Sequence, residues 1–198
     1  MKFAHQIISA VALTCLSASS LATTVYTSSA SFLARVEPGS YTENFDGLGI
    51  PPPGPVAFSG GGFAYTISAP NDVYASGAFV GTSLPGDALT VNFSGGNVTA
   101  VGANFFAVDF GDAFQSMLMT ITLSDGTVET FTPTSIGDSY RGFTSQVGFS
   151  SLVLSAPGGT NYAALDNLTV GTAIPEPASW SLAGLALAGV FVARRRKA

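Results

Sequence analysis

Four oxygen-bearing side chains, two near each end of the central part of the chain, have the chemistry to bind calcium. Glu43 and Asp46 lie in TENFDGL, and Asp166 and Asn167 lie in ALDNL. Calcium prefers about six to eight oxygen ligands, which carboxylates, an amide and backbone carbonyls supply without histidine or cysteine. A structural calcium is expected here if the first and last strands lie side by side. The alternative is that Asp46 begins a turn, Glu43 is solvated and Asp166 accepts hydrogen bonds from neighbouring amides.

The first 22 residues have the order of regions that is typical of a secretory signal peptide. The basic Lys2 precedes an apolar run at residues 7–16, and the small residues Ser20 and Ala22 suit signal peptidase. We therefore expect a signal helix at residues 1–22, export of the chain, and cleavage after Ala22.

Most nucleophilic and metal chemistry is excluded from the exported chain. The only histidine, His5, and the only cysteine, Cys15, lie in the expected signal peptide. Without them no Ser-His-Asp triad, no Cys-His pair, no disulfide and no zinc site with histidine or thiolate ligands can form. Glycan hydrolysis by a pair of carboxylates stays open, as does a Ser or Thr nucleophile with an unusual base. Because no motif supports either reaction, we expect that the protein is not an enzyme.

Residues 23–174 are strongly acidic. They contain eleven aspartates and glutamates but only two cationic side chains, Arg35 and Arg141, which gives a formal net charge of −9. Such a charge argues against nucleic acid or an anionic membrane surface as a partner. It is compatible with divalent cations and with neutral glycans.

The same segment is long enough for one domain, and its hydrophobic pattern is that of β-strands. Apolar and polar residues alternate on both sides of the Asp-Gly pair at 125–126, which predicts a hairpin at residues 117–132. A second hairpin is expected at residues 89–106, with its turn at the Gly-Gly pair 95–96. The two hairpins are expected to lie side by side.

Further short strands alternate with turn residues along the rest of the segment, at residues 42–45, 63–68, 79–82, 141–144, 152–155 and 163–170. This spacing predicts an all-β fold, a single antiparallel β-sandwich of jelly-roll type. One helix is expected where Phe32, Leu33 and Val36 share a face behind serines that can cap it. The prolines at residues 50–55 predict a loop that crosses between the sheets.

Residues 175–198 form a tripartite tail. Pro175-Glu176-Pro177 precedes an uncharged stretch at residues 178–193, and basic residues 194–197 follow. At about 1.5 Å per residue, a helix over this stretch spans roughly 24 Å, which is shorter than the hydrocarbon core of about 30 Å. The length of the stretch therefore predicts a marginal membrane helix. The basic end stays on the cytoplasmic side. The two prolines keep the Glu176 carboxylate outside the helix, where an enzyme can recognise it.

The tripeptide, the apolar stretch and the cluster Arg194-Arg195-Arg196 together resemble the PEP-CTERM sorting signal of Gram-negative bacteria. This resemblance implies that an exosortase, a membrane-bound transpeptidase-like enzyme, removes the tail after transient anchoring in the inner membrane. It also implies delivery to the cell surface or to the exopolysaccharide matrix of a biofilm. The body resembles the β-rich domains of this family in YTENFDGLG and YAALDNLTVG.

Three functions stay open for the body: a glycan-binding or structural surface module, a carboxylate-dependent glycan hydrolase, and an adhesin that binds another protein. A sugar binder stacks pyranose rings on aromatic faces. Because the only tryptophan, Trp180, lies in the tail, the candidates for stacking are tyrosines, most of which are expected in the core or on sheet surfaces. These are Tyr26, Tyr41, Tyr65, Tyr74, Tyr140 and Tyr162. The sequence identifies no ligand.

Overall fold

The computed structural model describes residues 23–51 and 53–175. Within these ranges the chain is all-β, as expected, with two antiparallel sheets and almost no helix. The predicted signal helix, and the predicted membrane helix at residues 178–193, lie outside the described residues. No helix within the described ranges is long and apolar enough to cross a membrane.

Sheet one contains eight strands. Six of them follow the spatial order β1 (Thr24–Tyr26), β12 (Tyr140–Thr144), β8 (Ala100–Val108), β14 (Tyr162–Gly171), β6 (Val80–Thr82) and β5 (Val73–Ala75). Two more strands pair outside this path: β2 (Tyr41–Glu43) with β14, and β9 (Phe114–Gln115) with β8.

Sheet two contains six strands, in the spatial order β11 (Val128–Phe131), β10 (Met119–Leu123), β13 (Ser151–Ser155), β7 (Ala88–Ser94), β4 (Phe63–Ser68) and β3 (Val56–Gly60). The helix α1 (Ser29–Leu33) follows β1, and a short 3-10 turn (Ile136–Asp138) precedes β12.

The main core lies between the two sheets, and the alternation of the strands determines which residues enter it. In β4, for example, Phe63, Tyr65 and Ile67 are buried, while the residues between them are partly exposed. Strand β8 is buried along almost its whole length, because two smaller clusters cover the outer face of sheet one. The first, beneath α1, contains Phe32, Val36, Ala100 and Tyr140. The second contains Phe79, Phe106, Val108 and Ala164.

The hairpin predicted at residues 117–132 is confirmed. Strand β10 pairs with β11, with Thr122 opposite Val128, and Gly126 has a positive φ of 90° in the connecting turn. The other expected strands are also present, and their ends lie within two residues of the predicted ones. Among the described residues of 44–55 there is no strand, and this segment runs from β2 in sheet one to β3 in sheet two.

The hairpin predicted at residues 89–106 is wrong. Strand β7 pairs with β4 and β13 in sheet two, whereas β8 pairs with β12 and β14 in sheet one. Gly95 and Gly96, with φ of 97° and 70°, therefore begin a crossover between the sheets. The sequence pattern does not distinguish the two arrangements, because both strands bury one face against the same core.

The predicted helix is present as α1, where the Ser28 hydroxyl accepts a hydrogen bond from the N–H of Ser31 at 3.3 Å. Phe32 and Val36 are buried as expected, but Leu33 is 45% exposed. The helix has little more than one turn. Residues four apart, such as Phe32 and Val36, share its buried face. Leu33 lies about 100° round the helix axis from Phe32 and is therefore turned away from that face.

Candidate functional site

Strands β2 and β14 run side by side, as the calcium prediction requires. Glu43 lies opposite Leu168 in this pair. A register shift between Asp166 and Thr169 interrupts β14, and Asn167 there has a positive φ of 53°. Burial raises the pKa of Asp166, and the nearby charge of Asp46 raises it further, against a hydrogen bond from the backbone of Asn167 that lowers it. Asp46 and Asp166 are therefore close enough to repel each other.

Glu43 does not join this pair. Its carboxylate accepts hydrogen bonds from the Tyr41 hydroxyl and from the N–H of Phe45, the latter at 3.2 Å. Asn167 donates to the Asp166 carboxylate through both its backbone and its side chain, each at 2.7 Å. Of the four predicted calcium ligands, the structure brings Asp166 and Asn167 into direct contact, whereas the side chain of Asp46 is hydrogen-bonded to Asn44. The described part of the chain contains no cluster of three acidic, histidine or cysteine side chains that could hold a metal.

The end of the described chain is held against the body by a short backbone ladder, called here the clasp (residues 35–37 and 172–174). The N–H of Glu37 donates across it at 2.8 Å, and the N–H of Ile174 donates across it at 2.9 Å. One of the clasp residues belongs to the buried cluster beneath α1. The backbone hydrogen bonds of the body therefore extend to Ile174, the residue directly before Pro175.

Pro175 is the one predicted sorting residue that the structure describes. The others lie outside the described residues: Glu176, Pro177, Arg194, Arg195 and Arg196.

A groove of about 230 Å³ opens on the outer face of sheet one, beside the second small cluster. Tyr74 faces outward into it, because its neighbours in β5 point into the core. Tyr162 of β14 and Phe79 line the same groove, and Phe79 packs edge-on against Phe106 with ring centres 5.5 Å apart. At the border lies Phe110, which is 91% exposed.

The loop after β8, residues 109–113, forms one wall of the groove. The Asp109 carboxylate accepts hydrogen bonds from two N–H groups of this loop, at 2.8 and 3.1 Å, and from the Gln115 amide at 2.9 Å. Asp112 has a positive φ of 61°, and its carboxylate accepts a hydrogen bond from the Tyr74 hydroxyl at 2.8 Å. This bond raises the pKa of Tyr74.

The groove is acidic. Asp109 and Asp112 line it, and both arginines of the described ranges are placed elsewhere. Arg141 pairs with Glu129 at 3.3 Å and covers the ring of Phe131 at 3.8 Å, and Arg35 belongs to the clasp. Among the described residues, no positive side chain therefore lines the groove.

Two of the six candidate tyrosines, Tyr74 and Tyr162, line the groove. The other four pack against the main core or in the cluster beneath α1: Tyr41, Tyr65, Tyr26 and Tyr140. Phe110 and Asp112 were not predicted from the sequence as groove residues. The signal for them was the run DFGDAF, in which an aromatic residue stands among loop-forming Asp and Gly.

Residues 173–197 match the family model of the PEP-CTERM protein-sorting motif. The match begins in the clasp and covers the tripeptide, the apolar stretch and the basic cluster, so the resemblance of the tail is confirmed. It indicates an exported, surface-directed protein that is a target of an exosortase. No curated protein matches the chain.

Proposed function

We propose that this chain, with a PEP-CTERM sorting motif behind an all-β body, is delivered by an exosortase to the cell surface or the exopolysaccharide matrix of a Gram-negative bacterium. The motif at residues 173–197 carries this proposal. Signal peptidase removes residues 1–22, and the tail anchors the protein transiently in the inner membrane. The exosortase then acts at the tripeptide that follows the clasp. The released body, a sandwich of jelly-roll type, binds a glycan or supports the matrix.

The clasp supports this order of events. Its backbone hydrogen bonds end at Ile174, one residue before the tripeptide. A marginal membrane helix directly after the tripeptide then holds the folded body close to the bilayer, where a membrane-bound enzyme works. Processing of a folded substrate therefore requires that the body and the exosortase fit together at the clasp.

We also propose that the body is not a hydrolase. Glycoside hydrolysis needs one carboxyl group that donates a proton and a second that acts as base or nucleophile. In the groove, both oxygens of Asp109 already accept hydrogen bonds from their own loop and Gln115. The Asp112 carboxylate accepts from Tyr74. Because both carboxylates accept hydrogen bonds from other groups of the protein, they are better placed to bind a ligand than to transfer a proton.

The sorting step is tested by replacing Pro175-Glu176-Pro177 with three alanines in the producing bacterium. We expect the variant to stay in the inner membrane with its tail intact, because the recognised carboxylate and the extended backbone are both lost. A matched control replaces Ser179, Trp180 and Ser181 with alanines, which keeps the stretch uncharged, and should be delivered normally. Normal delivery of the tripeptide variant would contradict the proposal.

The absence of hydrolysis is tested by incubating the purified protein with neutral, amino and uronic polysaccharides and measuring new reducing ends. We expect none. New reducing ends that disappear in Asp112→Asn would favour the hydrolase. Binding to a surface protein, with no glycan bound, would favour the adhesin.

We further propose a structural calcium ion at the pair Asp46 and Asp166. Support comes from the pairing of β2 with β14, which places the chain segment of Asp46 beside that of Asp166, since a divalent cation between two carboxylates offsets their like charges. Asn167 and backbone carbonyls would complete the oxygen ligands.

A further inference from the structure

We propose that the groove on sheet one is the glycan-binding site and that it takes a pyranose without negative charge, either neutral or amino-substituted. This inference deepens the proposed glycan-binding role and rests on it. Three properties of the groove carry it: its aromatic lining, its charge and the rigidity of its wall.

The aromatic lining suits a sugar ring. A pyranose has a face of C–H groups that packs on an aromatic face, which carries partial negative charge. Tyr74, Tyr162 and the 91% exposed Phe110 all belong to the groove. An isolated exposed aromatic residue needs no explanation. Three around one recess, with hydroxyls and carboxylates between them, match the mixture of apolar and polar groups that recognises a small ligand.

The charge of the groove selects among sugars. Asp109 and Asp112 line it without a cation among the described residues, and residues 23–174 carry a formal net charge of −9. A uronic acid or a sulfated sugar would bring a negative charge beside Asp112. The carboxylate or sulfate group of that sugar would have no basic partner in the groove. Sugar hydroxyls and ammonium groups are donors, and a carboxylate accepts from both.

The wall of the groove is built before any ligand arrives. Asp109 ties the loop through three hydrogen bonds. The left-handed backbone of Asp112 then places its carboxylate on the Tyr74 hydroxyl. Because the loop is already ordered, a ligand loses less free energy to ordering when it binds. Asp109 is therefore a positioning residue, and Asp112 contacts the sugar.

The test is calorimetric titration of the full chain, purified in mild detergent, with three hexasaccharides: cellohexaose, a chitosan hexamer and hexaguluronate. We expect the first two to bind and the third not to bind at low salt. Tyr162→Ala and Phe110→Ala should each weaken binding about tenfold, whereas Tyr162→Phe should retain most of it. Asp112→Asn should weaken the chitosan hexamer more than cellohexaose. Leu118→Ala, a half-exposed residue outside the groove, is the matched control and should change nothing.

The outcomes separate the site from the function. If hexaguluronate binds as tightly as the other two, the charge argument is overturned. If a glycan binds wild type, Tyr162→Ala and Phe110→Ala equally, the groove is not the site, although the glycan-binding role stands. If none of the three hexasaccharides binds wild type, both the site and the glycan-binding role are overturned. The melting temperature of each variant shows whether a loss of binding reflects a loss of folding.

Discussion

Phe32 should hold both the helix α1 and the clasp in place. Its side chain is fully buried, and its ring centre lies 6.1 Å from the rings of Tyr26 and Tyr140. It fills space that Gly142 leaves open, because a Cβ at that glycine would lie 2.6 Å from the Phe32 ring. The clasp residue Val36 belongs to the same cluster. Replacing Phe32 with alanine should therefore affect the segment next to the sorting tripeptide.

The expected effect of Phe32→Ala is large. Truncation of a buried phenylalanine to alanine lowers the free energy of unfolding by about 3–5 kcal/mol, since apolar contacts are lost and a cavity remains. For a domain of this size each kcal/mol lowers the melting temperature by about 2–4 °C. The melting temperature should thus fall by about 6–20 °C. Hydrogen exchange at the N–H groups of Glu37 and Ile174 should also accelerate, because these bonds form the clasp.

Thermal unfolding by circular dichroism measures the first effect, and hydrogen exchange by NMR measures the second. Leu33→Ala is the matched control, because it removes a side chain of similar size from the same helix at a position that is 45% exposed. Its effect should stay below about 1 kcal/mol. Equal effects of the two substitutions, or unchanged exchange in the clasp of Phe32→Ala, would refute the packing described for α1.

The remaining predictions concern an ion pair, a turn and the calcium proposal. Arg141→Ala should lower the free energy of unfolding, measured in urea, by about 1–3 kcal/mol. It removes both the ion pair with Glu129 and the contact of the guanidinium with the Phe131 ring. Arg141→Lys should restore less than half of it, and full restoration would show that charge alone matters. Hydrogen bonds from the N–H and hydroxyl of Thr134 lower the pKa of Asp138 from 3.8 to about 2. Its stabilisation is therefore complete above about pH 4 and lost as the pH falls through about 2, so Asp138→Asn should flatten this part of the stability curve. Millimolar calcium should raise the melting temperature of wild type but not of Asp166→Ala, and indifference of the wild type to calcium and chelator would argue against the site.

Ten of the fourteen strands in the described residues could be predicted from the sequence, but most of their partners could not. Alternation reports which side of a strand is buried, and it predicted the β10–β11 hairpin because the two strands are joined by a short turn that contains the Asp-Gly pair. The same alternation misassigned residues 89–106, where the chain changes sheets after Gly95. Leu33 was wrongly expected to be buried for a similar reason. A helix of one turn is too short for the spacing of its apolar residues to show which face is buried.

The candidate sites were predictable to different degrees. The tail could be recognised because its three parts are contiguous in the sequence. The pairing of β2 with β14 was also foreseen, but the bonds of Glu43 to Tyr41 and Phe45 were not, because they depend on side-chain placement. The groove combines residues from β5, β14 and the loop at 109–113, which are far apart in the chain. Only the tertiary fold shows that Tyr74 and Asp112 meet.

Intact mass spectrometry of the protein taken from the cell surface tests the central claim most directly. Export followed by exosortase processing predicts a single species that begins at Thr23 and ends near Pro175. A surface protein that still carries Arg194 to Lys197 would contradict the claim, because its tail would then be a permanent anchor rather than a sorting signal.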